Sequence, residues 1–162
     1  MVAVRYAGVS NSMDFKHTSI IIAIDDAGSS GRALDYGLEV AEDLKLPVRI
    51  VHVTRGPDSH KADFGHLDLD EIRKAANTIP EFELGADLLD RAMERAGQRR
   101  VEIEPVLLSG EPANALLRYL AECDRPMLFV GRRGRSRIRE LLLGSVSDQV
   151  IRHTKCPVFV VS

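Results

Sequence analysis

Cysteine is scarce in this chain, and its two cysteines, Cys123 and Cys156, lie far apart in the sequence. Neither belongs to a Cys-x-x-Cys pair, which argues against a zinc knuckle or a redox dithiol and offers no disulfide framework. A chain without disulfides suits a reducing compartment. The sequence therefore predicts a cytoplasmic location.

Long apolar runs are absent as well. No apolar stretch approaches the roughly 20 residues of a membrane span, so no membrane contact is predicted. Residues 1–17 mix polar and apolar types without a continuous apolar stretch after a basic start, which argues against a secretory signal. We interpret residues 1–17 as an N-terminal extension and residues 18–162 as one domain, long enough to bury a sizeable core.

Strong net charge of either sign is also absent, because the formal net charge is −2. The charge is nevertheless uneven. Five positive charges and no negative one fall between positions 131 and 139, on Arg132, Arg133, Arg135, Arg137 and Arg139. Such a segment binds phosphate backbones weakly and with strong salt dependence. No aromatic residue interleaves the arginines as a stacking platform, so we rank nucleic-acid binding behind two other hypotheses.

Apolar runs rich in β-branched residues alternate with segments of helical spacing. Ser19–Ile24 is typical of a strand buried on both faces. The segment Asp25–Gly31 predicts a turn, and apolar spacing predicts a helix from Arg32 to Leu44. The other predicted elements are strands at 48–53, 101–108, 126–130 and 157–161, and helices at 67–76, 81–98, 112–123 and 144–153.

This alternation predicts an α/β fold with a single open parallel sheet, right-handed crossovers and helices on both faces. In such sheets ligands bind beyond the carboxyl ends of the strands, where the strand order reverses. The turn after the first strand and the loop after the fourth both lie at carboxyl ends. They share a crevice only if those two strands are neighbours.

A glycine-punctuated loop between a predicted strand and helix is the most informative segment. It reads Gly-x2-Gly-x9-Gly-Ser and matches neither Gly-x4-Gly-Lys-[Ser/Thr] nor Gly-x-Gly-x-x-Gly after the first strand. Gly131 and Gly134 let the backbone turn and approach a ligand closely. Gly144 and Ser145 stand at a helix start, where bare N–H groups suit a phosphate. The pattern predicts a phosphate cradle, with a flexible connection bearing surface arginines as the plainer interpretation.

This glycine loop resembles the nucleotide-binding motif of the universal stress protein family, in its ATP-binding branch. The resemblance runs from about Thr18 through nearly the whole chain. It includes Ile24–Asp26 after the first strand, Val51–Val53 at the end of the second, and the closing Cys156–Val161. It implies a Rossmann-like, five-stranded parallel sheet in the order 3-2-1-4-5, which makes strands one and four neighbours.

The resemblance also implies which residues meet an adenine nucleotide such as ATP. Asp25, after Ile24, would hydrogen-bond the adenosine portion, and the backbone at Val53 would meet the adenine edge. The residues implied to line the ribose and hold the phosphates are Val130, Gly131, Gly134, Gly144, Ser145, Val146 and Ser147. Mg²⁺ would accompany the nucleotide rather than sit in a protein cage.

Several polar residues also have a structural interpretation. Asp25 taken alone would cap the following helix, whereas its place beside the predicted crevice favours a ligand role. His52 lies on an apolar strand and is interpreted as lining the core or the crevice. His60 and His66 match no standard metal pattern, and no Gly-x-Ser-x-Gly turn supports a hydrolase. No metal site or catalytic residue is predicted.

Two functional hypotheses follow. The first is an ATP-binding regulatory protein of the universal stress type, in which nucleotide orders residues 132–143 and changes what a homodimer presents to a protein partner. The alternative is a slow ATPase or phosphotransfer protein. No convincing base for the γ-phosphate is found, so at most weak hydrolysis is expected. In similar proteins the last strand pairs with its copy, and here residues 157–161 form an apolar strand predicted at the sheet edge.

Overall fold

A computed structural model describes residues 3–5, 17–54, 80–97, 99–132 and 144–162. The strands are β1 Ala3–Arg5, β2 Ser19–Ile24, β3 Val48–Thr54, β4 Ile103–Ser109, β5 Pro126–Gly131 and β6 Val158–Val161. The helices are α1 Gly28–Leu44, α2 Pro80–Ala96, α3 Pro112–Glu122 and α4 Ser145–His153. The described strands form one sheet in the order β1-β6-β5-β2-β3-β4.

The strands β2 to β6 are all parallel and keep the predicted order, with β2 between β3 and β5. Counted from β2, this is 3-2-1-4-5. β4 lies at an edge of the sheet, as the alternation of apolar and polar residues at 101–104 predicts. Ile21 and Ile22 of β2 are fully buried. A strand with both neighbours and both faces covered has no polar side, which is why it reads as a continuous apolar run.

Helices cover both faces of the sheet, as predicted. Successive side chains of a strand point to opposite faces, so Ile22 packs with α1 and α2, while Ile21 packs with α3 and α4. The chain therefore changes faces between α2 and α3. This leaves α1 and α4 on opposite sides of the neighbouring strands β2 and β5.

The predicted start of α1 at Arg32 is wrong, because the helix begins one turn earlier, at Gly28. Glycine and serine favour turns over helices in isolation, which made this segment look like a loop. Here Ser29 and Ser30 are buried, so packing against the sheet outweighs their weak propensity. The end of α1 agrees with the prediction, with Lys45 in the left-handed region at φ 54°.

The helix α2 faces the sheet differently from the prediction. Apolar spacing predicts one face formed by Leu84, Leu88, Leu89, Ala92 and Met93. Leu84 is nevertheless 67% exposed, while Phe82 and Leu89 are buried. A methyl carbon at Gly85 would lie 2.6 Å from Thr54 Cγ2 and 2.7 Å from Leu107 Cδ1. The helix thus contacts the sheet at a glycine, and a contact of this kind cannot be detected from the spacing of apolar residues. The other described elements begin and end within two residues of the predicted bounds, and the predicted helix at 67–76 lies outside the described residues.

The last strand is not a bare edge, contrary to the prediction. β1 pairs with β6 in antiparallel register, Ala3 opposite Val160 and Arg5 opposite Val158. Part of the segment interpreted as an extension therefore continues the sheet. A strand of three residues is too short to show an alternating pattern, so the sequence offered no signal for it.

Close packing of α1 on the sheet yields a testable expectation at Gly37. A methyl carbon there would lie 2.6 Å from Ile22 Cδ1 and 3.3 Å from Phe129 Cγ, both fully or nearly fully buried. We expect Gly37→Ala to lower the free energy of unfolding by about 1–3 kcal/mol through overpacking, although alanine is the better helix former by about 1 kcal/mol.

The matched control is Gly31→Ala in the same helix, where the added carbon meets only the flexible end of Arg95 at 3.3 Å. This variant should be neutral or slightly stabilised. Urea unfolding monitored by circular dichroism measures both variants. Equal midpoints for the two would contradict the packing account.

Candidate functional site

The carboxyl ends of β2, β3 and β5 bring together the residues proposed to meet a ligand. Ala23 lies opposite Val130, and Ile24 lies opposite His52. Asp25, Val53 and Gly131 stand one position beyond these pairs along their strands. Since the strand order reverses between β2 and β5, this edge is the switch point at which open α/β sheets bind ligands.

Gly131 is the point where α1 meets the end of β5. A methyl carbon at Gly131 would lie 2.7 Å from Ser29 Oγ and 2.9 Å from both Ser29 C and Ser30 N. Two of these three atoms belong to the backbone, so they cannot move aside by changing a rotamer. The absence of a side chain at Gly131 therefore sets how closely the start of α1 approaches the switch point.

The start of α4 is tied to the same strand end. The buried hydroxyl of Ser147 donates a hydrogen bond to the Gly131 carbonyl at 2.7 Å. The N–H of Gly144 donates to the Arg132 carbonyl, also at 2.7 Å. These two hydrogen bonds join the end of β5 to the start of α4. The predicted ligand residue Gly134 lies outside the described residues.

The first turn of α4 lies at this edge, and its backbone N–H groups have no hydrogen-bond acceptor among the described residues. The N-cap residue, Gly144, has extended backbone angles of φ −69° and ψ 155°, and no side chain caps the helix. The N–H groups of Ser145, Val146 and Ser147 lie in the first turn, where no intrahelical acceptor exists. Because the Gly144 N–H is already donated to Arg132, an anion here would meet the three N–H groups that follow it.

Asp148 places a negative charge in the first turn of α4, but a neighbour compensates for it. Asp148 in the first turn of α4 accepts hydrogen bonds from Arg152 at 2.9 and 3.1 Å. These hydrogen bonds hold the pKa of the Asp148 carboxyl below its usual range. The Arg152 guanidinium therefore offsets a charge that would otherwise repel an anion.

Asp25 closes a turn between β2 and α1 rather than capping the helix. Its Oδ1 accepts from the Ala27 N–H at 3.0 Å, and its own N–H donates to Ser30 Oγ at 2.8 Å. The N-cap of α1 is Ala27, which has no side-chain cap. The capping interpretation is thus replaced by an Asx turn, which holds the half-buried carboxylate at the end of β2.

The end of β3 carries two further polar contacts. His52 is half-buried, and its Nδ1 lies 2.9 Å from the Ile24 carbonyl, so the ring bridges the ends of β2 and β3. This agrees with the interpretation that His52 lines the core or crevice. Thr54 is buried and donates to the Leu108 carbonyl at 3.2 Å. Both contacts fix the strand end that includes Val53.

Sequence reasoning missed the contribution of Ser29 and Ser30 to this edge. Both are buried at the start of α1, against Gly131, and Ser30 accepts from Asp25. The available signal was two adjacent serines directly after a strand and a short turn. That pattern also fits an exposed loop, so only the tertiary contact identifies their role.

No protein cage for a metal is found in the described residues, because they contain no group of three or more His, Cys, Asp and Glu side chains suited to hold an ion. The same ranges contain no helix with the length and apolar character needed to cross a membrane. His60 and His66 lie outside the described residues.

The fold and the switch-point edge define an open, doubly wound α/β protein with helices starting on both sides of the reversal. A family model described as the universal stress protein family matches residues 16–162. The chain therefore belongs to the universal stress protein family, as the glycine motif indicated.

Two curated relatives span nearly the same length. Universal stress protein YxiE of Bacillus subtilis is 30% identical over 148 residues, covering 88% of this chain and 97% of its own. Universal stress protein Rv1636 of Mycobacterium tuberculosis is 33% identical over 146 residues, covering 90% and 96%. Both matches cover most of the chain.

Solved structures share the fold. Universal stress protein UspA from Lactobacillus plantarum has a TM-score of 0.70 at 15% identity and covers 91% of this chain and 99% of that chain. A universal stress protein in complex with cAMP has a TM-score of 0.64 at 26% identity, covering 90% and 97%. The Archaeoglobus fulgidus protein in complex with dAMP has a TM-score of 0.61 at 23% identity, covering 90% and 98%.

The contact at Gly131 makes a substitution there a direct test of the site's architecture. We expect Gly131→Ala to separate the start of α1 from β5 and to lower the free energy of unfolding by about 1–3 kcal/mol. The control is Gly28→Ala at the same helix start, where an added carbon has nothing within 4 Å. Thermal unfolding compares the two, and an unchanged Gly131→Ala protein would contradict the close approach.

The buried hydroxyl of Ser147 provides a second test. Ser147→Ala removes the donor to the Gly131 carbonyl, and we expect a loss of about 1–3 kcal/mol of stability because a buried acceptor is left unsatisfied. Ser145→Ala removes an exposed hydroxyl from the same turn and should change stability by less than about 0.5 kcal/mol. Chemical denaturation of both variants gives the comparison, and equal losses would remove the structural role assigned to Ser147.

Proposed function

We propose that this chain is an adenine-nucleotide-binding regulatory protein, with ATP as its ligand and a homodimer as its working form in the stress response. The observation that carries the proposal is the uncapped start of α4 at the switch point, beside the backbone approach at Gly131. A helix start of this kind is a ready site for phosphate, because unpaired N–H groups and the helix dipole act together.

The phosphates would be held by the N–H groups of Ser145, Val146 and Ser147, with the exposed hydroxyl of Ser145 as a further donor. The hydroxyl of Ser147 has a different role, since its proton is donated to Gly131. Val130, Gly131 and Gly144 would line the ribose and phosphates as backbone, and Gly134 completes the motif in sequence. Mg²⁺ would arrive bound to the nucleotide phosphates, which it prefers to a full protein cage.

The adenosine portion would lie over the ends of β2 and β3. Asp25 is held there by its turn, Ile24 closes β2, and Val53, which is half-buried, stands beside them at the end of β3. The relative solved with cAMP, which is 26% identical, supports an adenine nucleotide as the ligand class. Preference for ATP over AMP or cAMP is the finer part of the proposal, and it rests on the glycine motif.

Regulation would follow from where the phosphates bind. Both ends of the glycine loop, Arg132 and Gly144, are joined by a hydrogen bond beside the cradle. A nucleotide that binds one arrangement of the loop more tightly than another shifts the population toward that arrangement. A partner protein would then recognise the loop state, and no hydrolysis is needed for the shift.

Replacement of a single N–H tests the cradle without removing the helix. Ser145 occupies the first helical position, where proline is tolerated, and Gly144 before it already has the extended backbone that proline requires. Ser145→Pro therefore deletes one donor while the fold is kept. We expect its ATP affinity to fall about tenfold or more, because hydrogen bonds to charged groups contribute about 1.5–3 kcal/mol.

The matched control, Ser145→Ala, loses the hydroxyl but keeps the N–H and should bind ATP more tightly than Ser145→Pro. Isothermal titration calorimetry with ATP, AMP and cAMP measures both the contribution of the N–H to affinity and the ligand preference.

Nucleotide released from the purified protein identifies the natural ligand. Phosphate release assays test the slow-ATPase alternative. Wild-type ATP affinity in Ser145→Pro would remove the cradle from the proposal.

A further inference from the structure

The outer edge of β6 has an occupant in this chain. We propose that β1 and a second copy of the chain compete for this edge, so that β1 keeps the homodimer interface closed until it is displaced. The inference rests on the homodimer part of the proposed function and is independent of the nucleotide site. It assigns a regulatory role to residues 3–5, which lie before the segment matched by the family model.

The hydrogen bonds of β6 show which of its peptide groups face outward. The carbonyls of Pro157 and Val161 accept from β5, from the N–H groups of Leu128 at 2.9 Å and Arg132 at 2.7 Å. Peptide groups alternate sides along a strand, so those of Val158 and Val160 point away from β5. These are the residues that lie opposite β1.

β1 satisfies these outward groups in antiparallel register. Arg5 lies opposite Val158 and Ala3 lies opposite Val160, which are hydrogen-bonded positions. Val4 lies opposite Phe159, a position at which both residues direct their peptide groups away from the partner strand. Without β1, the outward N–H and C=O groups of Val158 and Val160 would form an open template for another strand.

The same slot fits a second copy of β6. About a two-fold axis through Phe159, Val158 of one copy would face Val160 of the other, and each would offer the peptide groups that Ala3 and Arg5 offer. The slot is therefore self-complementary in the register that β1 uses. The two occupants cannot bind together, because they need the same donors and acceptors.

The edge is held ready for either occupant. Phe159 stacks on Phe129 of β5 with ring centroids 4.5 Å apart, and Val158 and Val160 are buried. These side-chain contacts hold β6 against β5 whichever strand pairs with its outer edge. β1 has only three residues of ladder and is a weak occupant by itself. β1 has the advantage that it belongs to the same chain. Its local concentration near β6 therefore does not fall on dilution, whereas the pairing of two copies weakens as the protein is diluted.

A pair of proline variants in the full chain separates these roles. The N–H of Arg5 faces β6, so Arg5→Pro removes a ladder donor, whereas the N–H of Val4 faces away and proline is tolerated at such an edge position. We expect Arg5→Pro to raise the dimer association constant at least tenfold over that of the wild type. Val4→Pro, with an intact ladder, should stay close to the wild-type value.

Sedimentation velocity over a concentration series measures the association constants, and thermal unfolding verifies that each variant is folded. A synthetic peptide with the sequence of residues 1–8 should return Arg5→Pro to the monomer, whereas the same peptide with proline at position 5 should not. Amide hydrogen exchange at Val158 and Val160 reports occupancy of the edge. These amides should be protected in the wild type at any dilution, and in Arg5→Pro only at concentrations where it dimerises.

Equal dimer association constants for the wild type, Arg5→Pro and Val4→Pro would overturn competition at this edge. A wild-type dimer that Arg5→Pro abolishes would also overturn it, because β1 would then be part of the dimer interface. If none of the proteins dimerises at any concentration, both this inference and the proposed homodimer fail. ATP titration of the same samples keeps the nucleotide site a separate question, because Arg5 and Val4 lie outside it.

Discussion

The absence of a side chain at Gly131 is the constraint on which the arrangement of the site depends. This residue ends β5 and is contacted from both faces of the sheet. On one face the backbone of Ser29 and Ser30 lies where a methyl carbon would be, and from the other face Ser147 donates to its carbonyl. A single strand residue thus sets the positions at which α1 and α4 begin.

This constraint has consequences for the backbone polar groups at the switch point. The hydrogen bond between Gly144 and Arg132 closes the base of the glycine loop, and the N–H of Arg132 is donated to Val161. These groups are therefore used in holding the strand ends together. Among the described residues, the N–H groups of Ser145, Val146 and Ser147 take no part in these hydrogen bonds, and N–H groups at a helix start stabilise an anion. Two glycines of the motif thus differ in role. Gly131 leaves room for the backbone at the start of α1, and Gly144 is the extended N-cap of α4. Gly134 lies outside the described residues.

The strands could be predicted from the apolar pattern, and their order from the resemblance to the family. The residues at the carboxyl ends of β2, β3 and β5 remain a prediction as ligand contacts. Buried parallel strands such as Ser19–Ile24 have no polar face, so their apolar runs stand out. The predictions failed where a tertiary contact outweighs local preference. Ser29 and Ser30 became helical because they pack on Gly131, and Leu84 became exposed because Gly85 takes its place against the sheet. β1 left no sequence signal, since its pairing with β6 depends on backbone groups that any residue except proline provides.

The strand β6 connects the glycine loop with the outer edge of the sheet, but its two sides act separately. Its inner side accepts the N–H of Arg132 at the base of the loop, while its outer side pairs with β1. A second copy would use the same outer groups in the same register as β1. Exchange of one occupant for the other would therefore leave the inner hydrogen bonds, and with them the proposed phosphate cradle, unchanged. Coupling between two sites requires that each ligand distinguish the two states of the protein. If nucleotide and dimer are coupled in this chain, the coupling therefore requires a change other than the exchange of strands at the outer side of β6.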